Sequence, residues 1–507
     1  MILSQKGGKN FQTIAKAACR GYNGAIKKEE AALMEHSARI QQLLAAKKKL
    51  FTDLNDEVWG YAEPRFAEYK SAAAHCRLME AQGFRVKLGL AGEETAFVAE
   101  YGSGKPVIAI LGEYDALAGL SQEADCTEPK PVEAGGQGHG CGHNTLGAAG
   151  AAAITVLKDY MEENNLPGTI RFYGCPAEEN AGGKAFLVRD GFFDDVDIAL
   201  AYHPSNQNLA DQGGSLANFR VFYTFKGTSA HASGAPHMGR SALDACELMN
   251  VGCNYMREHM ISEARVHYAY TNVGGTAPNV VQADAQLLYA MRAPTVTQVK
   301  ELYGRLEKIA KGAAMMTETE VTIRQVAAYA NTIANDVINE RFEAYLDEFL
   351  PLDYTEEEMD YLRKFQAVIP ESEKRGVAAQ AKQLFGRSEK AKEAAEMPIW
   401  NFHAKGLVGG KGSNDVGDVS WVCPTSIIRT ACYAAGTTGH HWLRTAQGKS
   451  SVCHKGMLLA AAIMACTAAD FLKDPQLVAQ ARENWLDRLG GETYPNPLPA
   501  DCKPEIW

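Results

Sequence analysis

The feature that most constrains the fold is a predicted strand that is followed by polar residues and recurs along the chain. The run at 107–111 is wholly apolar and is followed by Asp115. The runs at 169–174 and 197–202 are followed by a Cys-Pro-Ala-Glu-Glu stretch and by His203. Wholly apolar strands are typical of parallel sheets that helices cover on both faces. The pattern therefore predicts an α/β fold with a central, mostly parallel sheet.

The polar residues that follow these strands are candidates for one shared site. In open α/β sheets the site lies at the carboxyl ends of the strands, where such residues gather. The residues that this arrangement would bring together are Asp115, Cys141, His143, Glu178, Glu179 and His203.

A glycine-rich stretch at 138–144, Gly-His-Gly-Cys-Gly-His-Asn, is the first candidate for metal binding. Cysteine and histidine bind borderline-soft divalent ions, and Cys141 and His143 can reach one ion from a bent backbone. Glycine permits the backbone conformations that such a bend needs. The alternative is a glycine-rich loop that holds a buried cysteine.

Two adjacent acids, Glu178 and Glu179, are the second candidate. One carboxylate can bind a metal while its neighbour deprotonates water. Two surface acids at the start of a helix are the alternative, because the helix dipole favours them. Three late histidines, His440, His441 and His454, could complete a ligand set, and the residues alone leave that choice open.

Two other classes of protein fit part of this pattern. In a thiol hydrolase, Cys141 would attack the substrate with a nearby histidine as base. That chemistry needs neither paired glutamates nor histidines at other strand ends. In a non-catalytic metal- or peptide-binding protein, Glu178 would have no role.

From about residue 217 the order of predicted elements becomes β-α-β-β-α-β, which is the ferredoxin-like arrangement. We predict an inserted domain at 217–332, a larger domain built from 29–216 and 333–507, and a basic N-terminal extension at 1–28. The segment after 470 is expected to be peripheral. Within the inserted domain, His231 is flanked by small residues, and two further residues, Asn279 and Arg292, could supply an oxyanion donor and a carboxylate clamp.

Composition excludes several classes of protein. The 507 residues are 46% apolar and 22% charged, which is typical of a globular protein with two or more domains. A formal net charge of −10 argues against a nucleic-acid partner, because phosphate binding needs a basic surface. No run approaches the ~18 consecutive apolar residues of a membrane span. Twelve scattered cysteines indicate a reducing compartment, and we expect a cytoplasmic protein.

Five motifs in the same order resemble the amidohydrolase branch of the aminoacylase/carboxypeptidase family of two-metal peptidases. The motifs lie at 112–117, 138–144, 176–179, 202–204 and 227–232. The resemblance implies a catalytic α/β domain with an inserted lid and dimerisation domain. It also implies two divalent metal ions per subunit, Mn or Zn, and a homodimer or a related second subunit.

The resemblance assigns a role to each candidate residue. Cys141, His143, Glu179, His203 and His440 match the metal-ligand positions of the family. Glu178 matches the general base, Asp115 the acid that orients the metal cluster, and His231 a lid histidine that reaches across the dimer to stabilise the tetrahedral intermediate. Asn279 and Arg292 match positions that hold the carboxylate of the substrate.

The activity that the resemblance implies is hydrolysis of the amide bond of an N-acyl amino acid. The expected substrate is p-aminobenzoyl-glutamate, and other N-acyl amino acids or dipeptides are the alternative. Two residues depart from the family pattern. Asn144 stands where many relatives have Asp, and His441 stands where close relatives have Ser or Thr. The second departure leaves the late ligand uncertain between His440 and His441.

Overall fold

The structure is a computed structural model that describes residues 36–179, 181–407 and 412–506. The predicted basic extension at 1–28 lies outside the described residues. Within the described residues the strands are β1 Arg85–Leu90, β2 Glu93–Ser103, β3 Val107–Gly112, β4 Gly168–Gly174, β5 Ile198–Ser205, β6 Leu209–Ala210, β7 Ala217–Lys226, β8 Arg265–Asn272, β9 Asp284–Ala293, β10 Glu320–Tyr329 and β11 Thr425–Ala431. They form a seven-stranded sheet and a four-stranded sheet.

The helices surround these two sheets. Their bounds are α1 36–61, α2 Tyr69–Ala81, α3 His143–Asn164, α4 Gly183–Arg189, α5 Ala242–Met256, α6 Val296–Thr317, α7 Asp336–Phe349, α8 Glu356–Val368, α9 Glu371–Phe385, α10 Glu389–Glu396, α11 Val416–Ser420, α12 Trp442–Gln447, α13 Ser451–Lys473 and α14 Pro475–Leu489. Among the described residues, α13 is long and apolar enough to cross a membrane, and 83% of its most apolar window is buried inside the fold. That burial is typical of a core helix.

The seven-stranded sheet has the order β1-β2-β4-β3-β5-β11-β6. Its central strands β4, β3, β5 and β11 are parallel neighbours, and β1, β2 and β6 pair in antiparallel fashion. Every residue of β3 is buried, as expected for a strand that helices cover on both faces. The α/β fold with a mostly parallel sheet is confirmed. The carboxyl ends of β3, β4 and β5 meet at one edge, which positions the site.

The four-stranded sheet is antiparallel throughout and has the order β10-β7-β9-β8. Along the chain its elements follow β7-α5-β8-β9-α6-β10, the predicted β-α-β-β-α-β order. Alternate residues of β7, including Phe219, Val221 and Tyr223, join one hydrophobic core with α5 and α6. The residues of β7 that alternate with them point to the opposite face of the sheet. The predicted domain boundaries at 217 and 332 stay a prediction.

The C-terminal segment joins the two sheets and is not peripheral. Trp485 of α14 donates from Nε1 to the Ser420 carbonyl oxygen at 2.8 Å. Beyond α14, the Pro497 carbonyl accepts a hydrogen bond of 2.9 Å from Gln325 of β10. Leu498 is buried in the core of the four-stranded sheet. The expectation of a peripheral segment was wrong, because Ala481, Trp485 and Leu489 form a buried face of α14 at positions i, i+4 and i+8.

Candidate active site

The site lies at the edge where β3, β4 and β5 end. β3 is followed by Asp115, β4 by Glu178 and Glu179, and His203 lies near the carboxyl end of β5. Helix α3 begins at His143 beside this edge, and Cys141 precedes it by two residues. The predicted convergence of these residues follows from the parallel register of the three strands.

Gly142 allows the loop to enter α3 at this position. It is the N-cap of α3 and has φ 93°, in the left-handed region that residues with a side chain rarely adopt. A Cβ atom there would lie 2.3 Å from the Tyr433 hydroxyl and 2.8 Å from Pro204 Cγ. A side chain would therefore push the loop away from the sheet edge, so glycine is required for Cys141 and His143 to face one site.

Two groups of ligand-type atoms share the sulfur of Cys141. In the first, Cys141, His143 and His203 place one atom each within 4.8 Å of the others, and Cys141 Sγ lies 3.4 Å from His203 Nε2. In the second, Cys141 joins Glu179 and His440 within the same limit. Glu179 Oε1 lies 3.1 Å from His440 Nε2. Two ligand groups that share one sulfur could hold two neighbouring metal ions.

The residues present fit such ions. His143 Nε2 is fully buried and has no hydrogen bond to any described residue, although a buried ring nitrogen normally finds a partner. A thiolate, imidazoles and a carboxylate suit Zn, and histidine and carboxylate also suit Mn.

The charges of the cluster point to a cation as well. Burial and the Cys141 sulfur raise the pKa of Glu179 to about 7. Burial by itself would raise the pKa of the Cys141 thiol, but His143 and His203 outweigh burial and hold that pKa well below its usual value. The cluster therefore gathers anionic ligands at a density that a bound cation stabilises.

Asp115 orients one residue of each shared-sulfur group, His143 and Glu179. Its Oδ1 accepts from His143 Nδ1 at 2.8 Å, and its Oδ2 accepts from the Glu179 backbone N–H at 2.8 Å. A carboxylate on Nδ1 places the proton there and leaves the Nε2 lone pair for a metal. Burial opposes ionisation of Asp115, but the His143 ring outweighs it and lowers the pKa of that carboxyl.

Glu178 lies beside the cluster without belonging to either shared-sulfur group. Its Oε2 is 3.7 Å from His143 Nε2. Burial, then the neighbouring Glu179 and Glu113 carboxylates, raise the pKa of Glu178 well above its usual value. The Tyr329 hydroxyl donates to the Glu178 carbonyl oxygen at 3.2 Å and fixes this part of the backbone. A carboxylate that readily holds a proton beside the ligand groups is suited to acid–base chemistry.

A buried ion triplet that the sequence did not predict lies next to this edge of the sheet. Lys184 Nζ lies 2.5 Å from Glu113 Oε1 and 2.7 Å from Asp415 Oδ1. Glu113 Oε2 is in turn 3.3 Å from His143 Nε2. Glu113 therefore has the Lys184 ammonium as a partner and does not need a metal ion to balance its charge. A charged residue within the apolar helix α4 was the available signal for this triplet.

Of the three late histidines, His440 is the one that lies at the cluster. His440 has φ 52°, an uncommon backbone conformation for a non-glycine residue that is enriched at functional sites. His441 is instead the N-cap of α12, and its Nδ1 accepts from the Leu443 N–H at 3.3 Å. His454 pairs with Asp56 at 2.8 Å on another part of the molecule.

Two predicted residues do not reach the site of their own chain. His231 is exposed, and its Nδ1 accepts from the Gly234 N–H at 3.1 Å. Asn279 is also exposed and lies beside it, since its carbonyl accepts from the Ala232 N–H at 2.9 Å. Neither residue lines the cavity described below, whereas Arg292 does.

A cavity of about 420 Å³ lies between the sheet edge and the four-stranded sheet. On the side of the sheet edge its walls contain Cys141, Glu178, Glu179, His203 and His440. The lining residues that the sequence did not predict include Asn218, Arg220, Tyr329, Arg429 and Arg444. Charged or amide side chains inside otherwise apolar strands, such as Arg220 in β7 and Arg429 in β11, were the available signal.

Comparison with known proteins places these features in a family. Residues 109–394 match the model of peptidase family M20/M25/M40. The chain is 41% identical to one of the subunits of p-aminobenzoyl-glutamate hydrolase from Escherichia coli (strain K12), over 92% of this chain and 98% of that protein.

Solved structures show the same fold. An aminobenzoyl-glutamate utilization protein from Klebsiella pneumoniae matches 86% of this chain and 98% of its own, with a TM-score of 0.57 at 19% identity. A dinuclear metal-binding peptidase of the M20 family from Bacillus subtilis matches 85% of this chain and 99% of its own, with a TM-score of 0.51 at 16% identity.

Proposed function

The chain belongs to peptidase family M20/M25/M40, and we propose that it hydrolyses p-aminobenzoyl-glutamate to p-aminobenzoate and glutamate. The membership makes it a metal-dependent amidohydrolase. The substrate is that of the relative with 41% identity over nearly its whole length. The observation that carries the proposal is the position of Glu178 beside two ligand groups that share Cys141.

The metal ligands in this proposal are the residues of the two shared-sulfur groups. Cys141, His143 and His203 would hold one divalent ion, and Cys141, Glu179 and His440 would hold the other. Mn and Zn both suit this ligand set. When bound, such ions supply Lewis-acid activation of water and of the scissile carbonyl group.

Glu178 moves the proton in this proposal. Its carboxylate accepts a proton from the attacking water and then donates it to the leaving amine. Burial and the Glu179 carboxylate raise the pKa of Glu178, which favours uptake of the proton from water. Tyr329 keeps the Glu178 backbone in place through its hydrogen bond to the carbonyl oxygen.

Arg292 binds a substrate carboxylate from the wall of the cavity, and His231 and Asn279 complete the site from a second copy of the chain. The edge strand β8 is almost entirely exposed and includes Tyr268 and Tyr270, and Tyr255 of α5 is 74% exposed. An exposed edge strand with aromatic side chains is a surface suited to pairing with another chain. A homodimer satisfies this need. Because the Escherichia coli relative is named as one of the subunits of its hydrolase, pairing with a related but different chain is the alternative.

A hydrolysis assay tests the proposal. The purified chain, stripped of metal and reloaded with Zn or Mn, is incubated with p-aminobenzoyl-glutamate, other N-acyl amino acids and dipeptides. We expect release of p-aminobenzoate that a chelator abolishes and added metal restores. Hydrolysis of dipeptides alone would move the substrate to another member of the same reaction class. Activity that survives chelation but is lost to a thiol alkylator would contradict the metal mechanism and favour Cys141 as a nucleophile.

A further inference from the structure

The helix-free face of the four-stranded sheet forms one wall of the cavity. In β7 the residues that alternate with the buried core positions include Asn218 and Arg220. Successive side chains of a strand point to opposite faces, so both residues face away from α5 and α6. Both also line the cavity. This face therefore presents polar groups to the substrate.

Three of these side chains form a row across three strands. Asn218 of β7 lies directly opposite Tyr329 of β10 on one side and Arg292 of β9 on the other. Directly opposite residues have Cβ atoms about 4.5–5.5 Å apart. Arg220 follows Asn218 by two residues and lies on the same face. One carboxylate-sized ligand can therefore touch Asn218 together with either arginine.

Asn218 has hydrogen-bonding groups but no partner for them. It is 1% exposed, and neither its Oδ1 nor its Nδ2 has a hydrogen bond to any described residue. Arg292 Nε is likewise buried with no hydrogen-bond partner among the described residues. Leaving a buried donor unpaired costs free energy, and native structures rarely do so. Both side chains line the cavity, so the missing partner is a ligand that accepts hydrogen bonds.

The charges on this wall favour an anionic ligand with more than one negative group. Arg429, a cation of the opposite wall in β11, pairs with Asp211 at 2.7 Å. Burial and the Arg220 guanidinium lower the pKa of Arg292, which means that the two guanidinium groups are close enough to repel each other. Each guanidinium group can bind one carboxylate. A dicarboxylate can therefore place one carboxylate on each of the two arginines.

We propose that Arg220 and Asn218 bind the side-chain carboxylate of the amino acid half of the substrate, while Arg292 binds its α-carboxylate. The enzyme then selects N-acylated dicarboxylic amino acids. This assignment rests on the proposed function, since it concerns the amino acid that the reaction releases. A guanidinium donates two parallel hydrogen bonds to a carboxylate, and Asn218 Nδ2 donates a further one.

The test uses two substrates of the same shape and different charge, N-benzoyl-L-glutamate and N-benzoyl-L-glutamine. We expect kcat/KM of the wild type to favour the glutamate substrate by about 100-fold, which is typical for loss of one partner of a buried charge pair. Arg220→Gln lowers kcat/KM for the glutamate substrate by about 100-fold and that for the glutamine substrate by less than about 3-fold. Arg324→Gln, an exposed arginine of β10 that pairs with Glu505, is the matched control and leaves both values unchanged.

A second variant guards against a failure to fold. Asn218→Leu replaces an unpaired buried amide with an apolar side chain of similar size, which a folded protein tolerates well. It is expected to lower the preference for the glutamate substrate by about 10-fold. Equal kcat/KM for the two substrates in the wild type, or parallel losses in Arg220→Gln, would overturn the carboxylate assignment while leaving the hydrolytic function intact.

Binding separates failure of this assignment from failure of the proposed function. In the Glu178→Gln background, calorimetric titration measures affinity for both benzoyl amino acids without turnover. At least about 10-fold tighter binding of N-benzoyl-L-glutamate supports the assignment even if no hydrolysis is seen in the wild type. Equal affinity for both compounds overturns it.

Discussion

Two histidine-bearing regions of this protein differ in how they could serve one reaction. At the edge of the seven-stranded sheet, Cys141, His143 and His203 converge within 4.8 Å. In the loops that follow β7 and precede β9, His231 and Asn279 lie together but are exposed and outside the cavity of their own chain. The first region is assembled by the strand register of a single chain. In our proposal the second region is completed by another chain, so the same list of motif residues describes two kinds of site.

The largest expected effect concerns the acid–base group of the first region. Glu178→Gln keeps the shape of the side chain but cannot take a proton, so kcat is expected to fall by about 1,000-fold or more. Metal content, measured by mass spectrometry, is expected to stay at the wild-type level. Glu133→Gln, an exposed change outside the cavity, is the control. Full activity of the Glu178 variant would remove this residue from the mechanism.

The next effect distinguishes two adjacent histidines. His440→Ala removes a ligand, and turnover at limiting metal is expected to fall by about 100-fold or more. His441→Ser keeps an N-cap acceptor for α12, because serine accepts the same backbone hydrogen bond. Its activity is expected to stay within about 3-fold of the wild type. The reverse ranking in the same assay would place the late ligand one residue further along.

His231→Ala tests whether His231 acts on the site of a second chain. If His231 donates to the developing oxyanion, kcat is expected to fall by about 100-fold with metal content unchanged. Mixing this variant with Glu178→Gln after unfolding and refolding would produce dimers that contain one intact site. Activity is then expected to recover to about one quarter of the wild-type value. No recovery, together with confirmed mixed dimers, would show that His231 acts within its own chain or not at all.

The smallest effect on turnover is expected at His75, because a change there alters stability. This histidine is buried beside the seven-stranded sheet. Burial lowers the pKa of His75 to about 4, below its unfolded value of about 6.5. Between pH 4 and 6.5 the unfolded chain binds a proton at this histidine and the folded chain does not. The free energy of unfolding therefore falls as pH drops from 6.5 to 4. The contribution is on the order of 3 kcal/mol.

Chemical denaturation across that pH range checks this expectation. His75→Phe, which keeps a ring against Tyr114 and Phe97, should weaken the pH dependence of the free energy of unfolding. The contribution of His139, whose pKa burial also lowers to about 4, remains. His237→Gln, at an exposed position, should leave it unchanged. An unaltered slope in His75→Phe would show that another group carries the dependence.

The sequence predicted the parallel sheet and the convergence at its edge because both follow from local pattern. An apolar strand that ends in a polar residue determines fold class and position together. The choice between His440 and His441 could not be predicted in this way, since it depends on a left-handed φ at His440 and on the cap of α12.

Other parts of the site depend on tertiary contacts that sequence spacing does not encode. Lys184 pairs with Asp415 from 231 positions further along the chain. Asn218 and Arg292 become neighbours through the strand register of β7 and β9. The exposure of His231 was also not predictable, because the small residues around it are compatible with either a cavity or a surface. A strand pattern gives the face of a residue but not what lies opposite that face.

The central claim is that one cluster built around Cys141 holds two metal ions. The most direct measurement is the metal content of the chain by mass spectrometry after removal of metal and reloading with Zn or Mn. We predict two ions per chain in the wild type and in Glu178→Gln, and fewer than two in Cys141→Ala, because both ligand groups include that sulfur. One ion or none in an active wild type, or two ions retained in Cys141→Ala, would contradict the claim.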